Sequence, residues 1–467
     1  MIINLYDTFE KRKKEFKPLK KDFVRMYDCG PTVYSYASIG NMWRYLVSDY
    51  LRRILELNGY TVKQVLNITD VGHLTQDDLL AADTGEDKIE KAAKKEGKTP
   101  EQIAQFYTQA YFKDRKKLNI LDPVVVTKAT EYIPQMIKIV EGLIEKGFGY
   151  ELPDRVCFDV EKFKSYGKLS GKTLDQLRSG ARLEPIKGKR SPYDFSLWIK
   201  DDKHLMKWNS PWGVGYPGWH IECSAMSLDT LGESIDIHSG GEDNIFPHHE
   251  NEIAQSEGFT GKKFVNYWVH IRFMLVDGEK MGKSKGNYYL LSDLEKEGYE
   301  ALAFRYLTLS NHYTSPINFT FESLKNAQKA LNRLRLTVWR LKKEAESKDE
   351  KKIKTLKNNL LERLNNDIGT PQALAYIWEV LDSDAKSGEK LELVAMADKV
   401  FGLNLIDWNF SVPEEINKLV DKRNELRSKG DYEKADKIRD EIKRKGWVVS
   451  DIGGSVEVFP DLDDQAD

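Results

Sequence analysis

The sequence predicts a doubly wound, parallel α/β domain that carries an insertion, followed by an all-α helical bundle and a small C-terminal α+β module. Three observations predict it. A strand, a helix and a second strand follow one another within residues 23–69, the same succession recurs at 234–271, and after Lys280 the chain turns into long charged helices. Parallel strands joined through a helix form βαβ units. Two such units in one sheet make a Rossmann-type arrangement, with ligands gathered at the C-terminal strand ends.

Residues 23–28 alternate like a strand and run into Cys29-Gly30-Pro31-Thr32, where the backbone must turn sharply. Across 41–58, Met42, Leu46, Tyr50, Ile54 and Leu57 recur at helical spacing, and Gly59 stands where a left-handed stop belongs. Residues 61–69 read as the second strand. The later half repeats the pattern with a strand at 234–238, a helix at 248–257 and a strand at 264–271. Between the halves, 85–208 begins as charged helices and continues with a strand at 156–160 among glycine turns, so much of it reads as inserted. The expected division is 1–115 and 206–310 for the two halves of the α/β domain and 116–205 for the insertion. The bundle occupies 311–408, with helices at 327–346, 351–366, 371–381 and 390–400. The module occupies 409–467, with two short helices ending at Gly430 and Gly446, a hairpin at 447–459 and an acidic tail predicted to be disordered.

Composition narrows the class. The chain has 467 residues, 40% of them hydrophobic, and no apolar run of the length a bilayer span requires. Its start lacks the basic-then-apolar profile of a secretory signal, and three cysteines are too few for a disulfide framework, so a reducing cytoplasm is expected. Cys157, within the strand at 156–160, reads as a small buried residue. With 72 Lys plus Arg against 74 Asp plus Glu, net charge gives no argument for nucleic acid, and any such surface must be local.

Four donors stand out as metal ligands: Cys29, Cys223, His248 and Glu252. His248 and Glu252 lie four apart where a helix opens, so both side chains face one way. Two thiols, an imidazole and a carboxylate suit zinc. The same residues also fit a plainer reading, with the thiols in the core and the histidines capping a helix, and ligand chemistry alone leaves both open.

Several signatures fail. Gly213 to Gly218 spells the dinucleotide fingerprint in letters but follows Pro211-Trp212 rather than a strand and contains Pro217. Gly278 to Ser284 falls one residue short of a P-loop, and Ile253 stands where a zinc-protease helix needs its second histidine. What survives is a split phosphate site. Ser38-Ile39-Gly40-Asn41 opens the first helix, so free backbone donors and a helix N-terminus can meet phosphate, with Gly40 permitting close approach. Lys280 and Lys283, in Lys280-Met281-Gly282-Lys283-Ser284, can neutralise charge as pyrophosphate departs. Farther on, Lys325, Lys329, Arg333, Arg335, Arg340, Lys342 and Lys343 crowd one helix, which reads equally as a phosphate-contacting stripe or as a solvated helix face.

Cys29 to Tyr34, Ile39 to Asn41, Asn67 to Val71, Gly218 to Met226, Phe246 to Ser256 and the lysine loop together resemble the cysteinyl-tRNA synthetase family, of class I. The resemblance runs from the N-terminus through the C-terminal module. It implies zinc, one ion per chain, on Cys29, Cys223, His248 and Glu252. It implies an amino-acid pocket at Thr69, Trp219, His238 and Asp243, with Asp243 facing the substrate ammonium, and the two ATP signatures at 38–41 and 280–284. The implied partners are ATP with Mg²⁺, L-cysteine and tRNA(Cys), with no membrane and a monomeric state. The C-terminal modules would read the anticodon, with Trp408 or Trp447 stacking on a base. The implied reaction is cysteinyl-adenylate formation and transfer through the tRNA 2′-hydroxyl. Zinc binding to a thiolate would select cysteine over serine and leave no need for an editing site.

The chain departs from the family pattern at Ser38, where histidine is usual, and at Gly282, where serine is usual. Losing one transition-state donor typically costs about 10²- to 10³-fold in rate. Ser38 keeps a hydroxyl but is short and uncharged, so either slow activation or a compensating residue is expected. Two alternatives retain part of the pattern: a ligase passing cysteine to a small amine, which needs no bundle or C-terminal module, and a non-catalytic synthetase-like tRNA-binding protein.

Overall fold

The structure is a computed structural model and describes residues 1–74, 85–172, 188–282, 285–344, 348–452 and 455–461. Its centre is a five-stranded sheet of β1 (Phe23–Asp28), β2 (Thr61–Ile68), β3 (Val125–Lys128), β4 (Ile235–Gly241) and β5 (Val265–Ile271), in the order β5-β4-β1-β2-β3. Every neighbouring pair is parallel. The order reverses between β1 and β4, which is where a doubly wound sheet opens a crevice beyond its strand ends.

The helix Ile39–Leu57 links β1 to β2. Ser38 caps it, accepting a hydrogen bond from the Asn41 amide while the Asn41 side chain returns to the Ser38 backbone. Trp43, Leu46, Tyr50 and Ile54 bury its inner face. β4 is buried along its whole length, as a central parallel strand must be.

The strand Val125–Lys128 lies inside the stretch that the sequence reading gives to the insertion, yet it is the edge of the central sheet, paired with β2. It has four residues, of which only Thr127 is buried, too short and too exposed to show an alternating signal. The inserted structure is a four-stranded antiparallel meander of Gly149–Glu151, Arg155–Phe158, Phe195–Lys200 and Gly215–Pro217. Gly215-Tyr216-Pro217 is thus a strand. A Cβ at Gly215 or Gly218 would come within 1.9 or 2.0 Å of the carbonyl oxygens of Ile199 and Ser196, so these glycines serve strand packing. Cys157 is fully buried in that sheet, as expected.

The chain divides into two compact units, one comprising 1–290, 311–318 and 361–373, the other 291–310, 319–360 and 374–467. In the second, the helix Phe321–Lys343 starts six residues before the expected 327, because Thr320 and Ser323 form a capping box. The helices Glu350–Asn365, Thr370–Leu381 and Ser387–Phe401 match the expected ones within a few residues. Glu414–Ser428, Tyr432–Arg444 and the hairpin of Trp447–Ile452 with Ser455–Pro460 enclose a small core of Ile416, Val420, Ile438, Ile442 and Val449. The acidic tail lies outside the described residues.

Three members of the basic helix are engaged inside their own unit. Arg335 pairs with Glu300 at 2.8 Å, Arg340 with Glu457 at 2.9 Å, and Lys342 donates to the carbonyls of Ile406 and Trp408. They hold helix to hairpin and loop, which leaves Lys329, Arg333 and Lys343 as its exposed cations. Among the described residues no helix is long and apolar enough to cross a membrane.

Candidate active site and metal centre

The crevice is built where β1 and β2 end. After Asp28 the chain turns so that the Val33 amide donates to the Thr69 carbonyl at 3.2 Å and the Thr69 amide to Pro31 at 3.1 Å, tying the two strand extensions together. Gly30 donates its amide to Asn67 Oδ1 at 2.7 Å, and a Cβ there would lie 1.4 Å from the Asn67 carbonyl oxygen. Only glycine fits. Gly30→Ala is expected to destabilise the fold by several kcal/mol, on the order of 3 or more for a backbone overlap of this kind, measured by denaturant unfolding.

Cys29 follows β1, Cys223 lies on the helix Trp219–Leu231, and Glu252 lies on the helix Glu250–Thr260. His248 lies in the turn Ile245–His249 just before that helix, where the backbone is extended at Phe246 (φ −141°, ψ 130°). The turn still directs His248 toward Glu252, with Nε2 3.0 Å from Oε1. Cys223 Sγ lies 3.6 Å from His248 Nε2 and Cys29 Sγ 3.9 Å from Glu252 Oε1. The four donor atoms all fall within 4.8 Å of one another, and all four residues are buried. Donors around a tetrahedral zinc stand roughly 3.3–3.8 Å apart, so the quartet has the size and donor chemistry of such a centre. A second set, Cys29, His238, His249 and Glu252, shares two members and contains one thiol.

The electrostatics suit a cation. Burial pushes the Cys29 thiol up, but hydrogen bonding with Cys223 and His248 outweighs it and brings the thiol down to about 6. The Cys29 sulfur, with burial, pushes Cys223 well up. Burial alone would lower His248, yet contact with Cys29 and Glu252 raises it to about 10. Against the same burial, His238 and His248 bring Glu252 down to about 2. Behind the quartet, burial and neighbouring histidines keep His249 well below its ordinary value and His270 at about 3, so both stay neutral.

Beside the quartet opens a cavity of about 480 Å³, within the size range of small-molecule sites. Trp219 forms its wall, stacking on His248 at 4.2 Å and on His73 at 4.1 Å. Both phosphate segments reach the cavity. The Ile39 amide bonds the Tyr289 carbonyl at 3.0 Å, and Ser38 forms an antiparallel bridge with Leu290, which draws the end of the lysine loop onto the helix N-terminus. The Met281 methyl then lies 3.6 Å from where a Gly40 Cβ would be. Ser38, Gly40, Asn41, Asp243, Lys280, Met281 and Gly282 line the cavity, and Lys280 Nζ sits 4.3 Å over the Phe273 ring. Ile39 is turned into the core, and Lys283 and Ser284 lie outside the described residues.

Thr69 and His238 are buried and do not line the cavity. Asn67 donates to Thr69 Oγ1 at 3.1 Å, and His238 Nε2 meets Glu252 Oε2 at 2.9 Å while its ring stacks on Trp268. The Ser38 hydroxyl directs its one proton to Asn41 Oδ1 at 2.9 Å. Sequence reasoning missed His73, which hydrogen-bonds Thr32 and Lys88 at 2.8 Å each, and the pair His249–His270 at 2.7 Å. For His249 the signal was present, since it adjoins His248. For His73 nothing in the spacing marked it.

Residues 15–329 match the model of the class I (C) tRNA synthetase catalytic domain, and 411–458 that of the cysteinyl-tRNA ligase anticodon binding domain. The chain is 40% identical to the cysteine–tRNA ligase of Treponema denticola over 97% of this chain and 99% of that one. It is 43% identical to a cysteine–tRNA ligase of Thermus thermophilus, over 97% and 98%. Among solved structures, a Mycobacterium tuberculosis methionyl-tRNA synthetase in complex with methionyl-adenylate shares the fold at 14% identity, with a TM-score of 0.57 over 82% of this chain and 91% of that one. The sheet order, the crevice and two matching family models agree, and the chain belongs to the cysteinyl-tRNA synthetase family.

Proposed function

We propose that the chain activates L-cysteine with ATP to cysteinyl-adenylate and transfers cysteine to the 3′ end of tRNA(Cys). The observation that carries this reading is the buried Cys29–Cys223–His248–Glu252 quartet beside a cavity lined by both phosphate segments. These four residues would hold zinc, which when bound supplies a soft Lewis acid that a thiolate ligates and a neutral hydroxyl does not.

The activation step needs no enzyme nucleophile. The cysteine carboxylate attacks the α-phosphorus in line and pyrophosphate leaves, so the protein acts by positioning and by charge. Ser38, Ile39, Gly40 and Asn41 present the helix N-terminus to the nucleotide. Lys280 and Lys283, with Met281, Gly282 and Ser284, are the residues we assign to the phosphates, and Mg²⁺ accompanies ATP. Asp243 takes the substrate ammonium and Trp219 walls the side chain. Thr69 and His238 shape this pocket from below, His238 by orienting Glu252. The tRNA 2′-hydroxyl then attacks the adenylate carbonyl. The segments 311–408 and 409–467 would hold the tRNA, the latter at its anticodon, with Trp408 and Trp447 beside Phe410 as stacking surfaces. A cytoplasmic monomer is the form we propose.

Charging of a tRNA(Cys) transcript tests the whole reading. Labelled cysteine is expected to become alkali-labile on that transcript and to fall by at least about tenfold when the anticodon is replaced. Activation without any transfer to tRNA would instead favour a ligase that uses a small amine.

A further inference from the structure

We propose that Arg44 is a further catalytic residue, its guanidinium binding the oxyanions that meet in the activation step, the amino-acid carboxylate and the ATP α-phosphate. The inference rests on the activation reading above and adds a residue to it.

Arg44 lies in the second turn of the helix Ile39–Leu57, four residues after Gly40, so the two share one helix face. Side chains on a helix lean toward its N-terminus, which aims Arg44 at that end of the helix. Both residues line the cavity. Arg44 is half-buried, yet among the described residues it makes no hydrogen bond and no ion pair within 4.0 Å; its contact is with the Tyr45 ring at 4.3 Å. A guanidinium has five donors, and withdrawing it from water without a partner is costly. Lys280, which also lines the cavity, is an exposed ammonium over the Phe273 ring, and the other two basic side chains there are paired. Arg272 is paired with Glu242 at 3.0 Å, and Lys88 is bonded to His73 at 2.8 Å.

The surroundings explain how the charge is tolerated. Asp28, fully buried at the end of β1, lies within electrostatic reach of Arg44 without touching it. Its Oδ1 accepts from Ser239 at 2.9 Å, and Oδ2 has no hydrogen-bond partner among the described residues. Burial raises the Asp28 carboxyl and the Arg44 charge lowers it, so the two groups are electrostatically linked while Arg44 lines the cavity. Cys29 follows Asp28 directly and is itself within electrostatic reach of Arg44, and Arg44 shares its cavity with Ser38, Gly40 and Trp219. The neighbouring Ser38 carries no charge, and its one proton is directed to Asn41. A planar, always-charged fork suits a carboxylate or a phosphate better than an ammonium does.

The test is steady-state pyrophosphate exchange by the zinc-loaded full chain, comparing Arg44→Gln and Arg44→Lys with the unaltered protein. Activity of the unaltered protein tests the activation reading by itself. The expected result is a loss of about 10²- to 10³-fold in kcat/KM for Arg44→Gln, a smaller loss for Arg44→Lys, and melting temperatures within a few degrees of the parent. A rise confined to KM for cysteine assigns the contact to the carboxylate. A fall in kcat, or a rise in KM for ATP, assigns it to the α-phosphate. Unchanged constants in folded Arg44→Gln would overturn the proposal, as would a loss that tracks a lowered melting temperature equally in both variants.

Discussion

Cys223→Ser is expected to lose its metal and, with it, cysteine activation. The side chain is buried on the helix Trp219–Leu231 and faces Cys29, His248 and Glu252 in the quartet. A serine hydroxyl of nearly the same size stays protonated at neutral pH and is a poor zinc ligand, so the substitution removes a donor while leaving the packing almost unchanged. Removing a group that only orients a ligand costs about 10- to 100-fold in metal affinity or activity. Loss of one of the four ligands themselves is expected to exceed that. Metal analysis of the purified variant is expected to fall well below one zinc per chain, with far-UV circular dichroism unchanged. A variant that keeps one zinc and full exchange activity would move the metal to the alternative set of Cys29, His238, His249 and Glu252.

Lys280→Ala carries the second large effect. Lys280 lies on the exposed two-residue strand Glu279–Lys280 and reaches across the Phe273 ring at the mouth of the cavity. Its removal disturbs little packing, and in the proposed activation step its charge would meet phosphates whose charge grows as pyrophosphate departs. A fall in kcat of about 10²- to 10³-fold for pyrophosphate exchange is expected, with KM for cysteine unchanged. Stopped-flow or steady-state exchange with varied ATP separates the two constants. A change in KM for cysteine alone would place Lys280 at the amino acid instead.

Much of this site was legible in the sequence because chemistry and periodicity reinforced one another. The helix beginning at Ser38 showed both its apolar stripe and its capping residues, and His248 with Glu252 carried a spacing that survives even though the chain is kinked at Phe246 just before them. The parts that were not legible share a physical cause. The helix Trp219–Leu231 buries His220, Glu222, Ser224 and Ser227 as well as its apolar residues, so it has no polar face to mark its period. The edge strand Val125–Lys128 is too short to alternate. Arg44 is an ordinary arginine in a helix until the fold withdraws it beside a cavity. Conversely, Arg335, Arg340 and Lys342 look like a phosphate-binding stripe in one dimension, and only the folded unit shows their bonds to Glu300, Glu457 and the 406–408 loop.

The most direct test of the central claim is pyrophosphate exchange into ATP with cysteine or serine, on zinc-loaded and on chelated protein. Rejecting serine by size alone is beyond a hydrophobic pocket, whereas a site built to bind one specific group can discriminate by about 10⁴-fold or more. The expected result is exchange that requires both cysteine and zinc, with serine lower by that order. Exchange that persists after chelation, or that serves serine nearly as well as cysteine, would contradict selection by a metal held on Cys29, Cys223, His248 and Glu252.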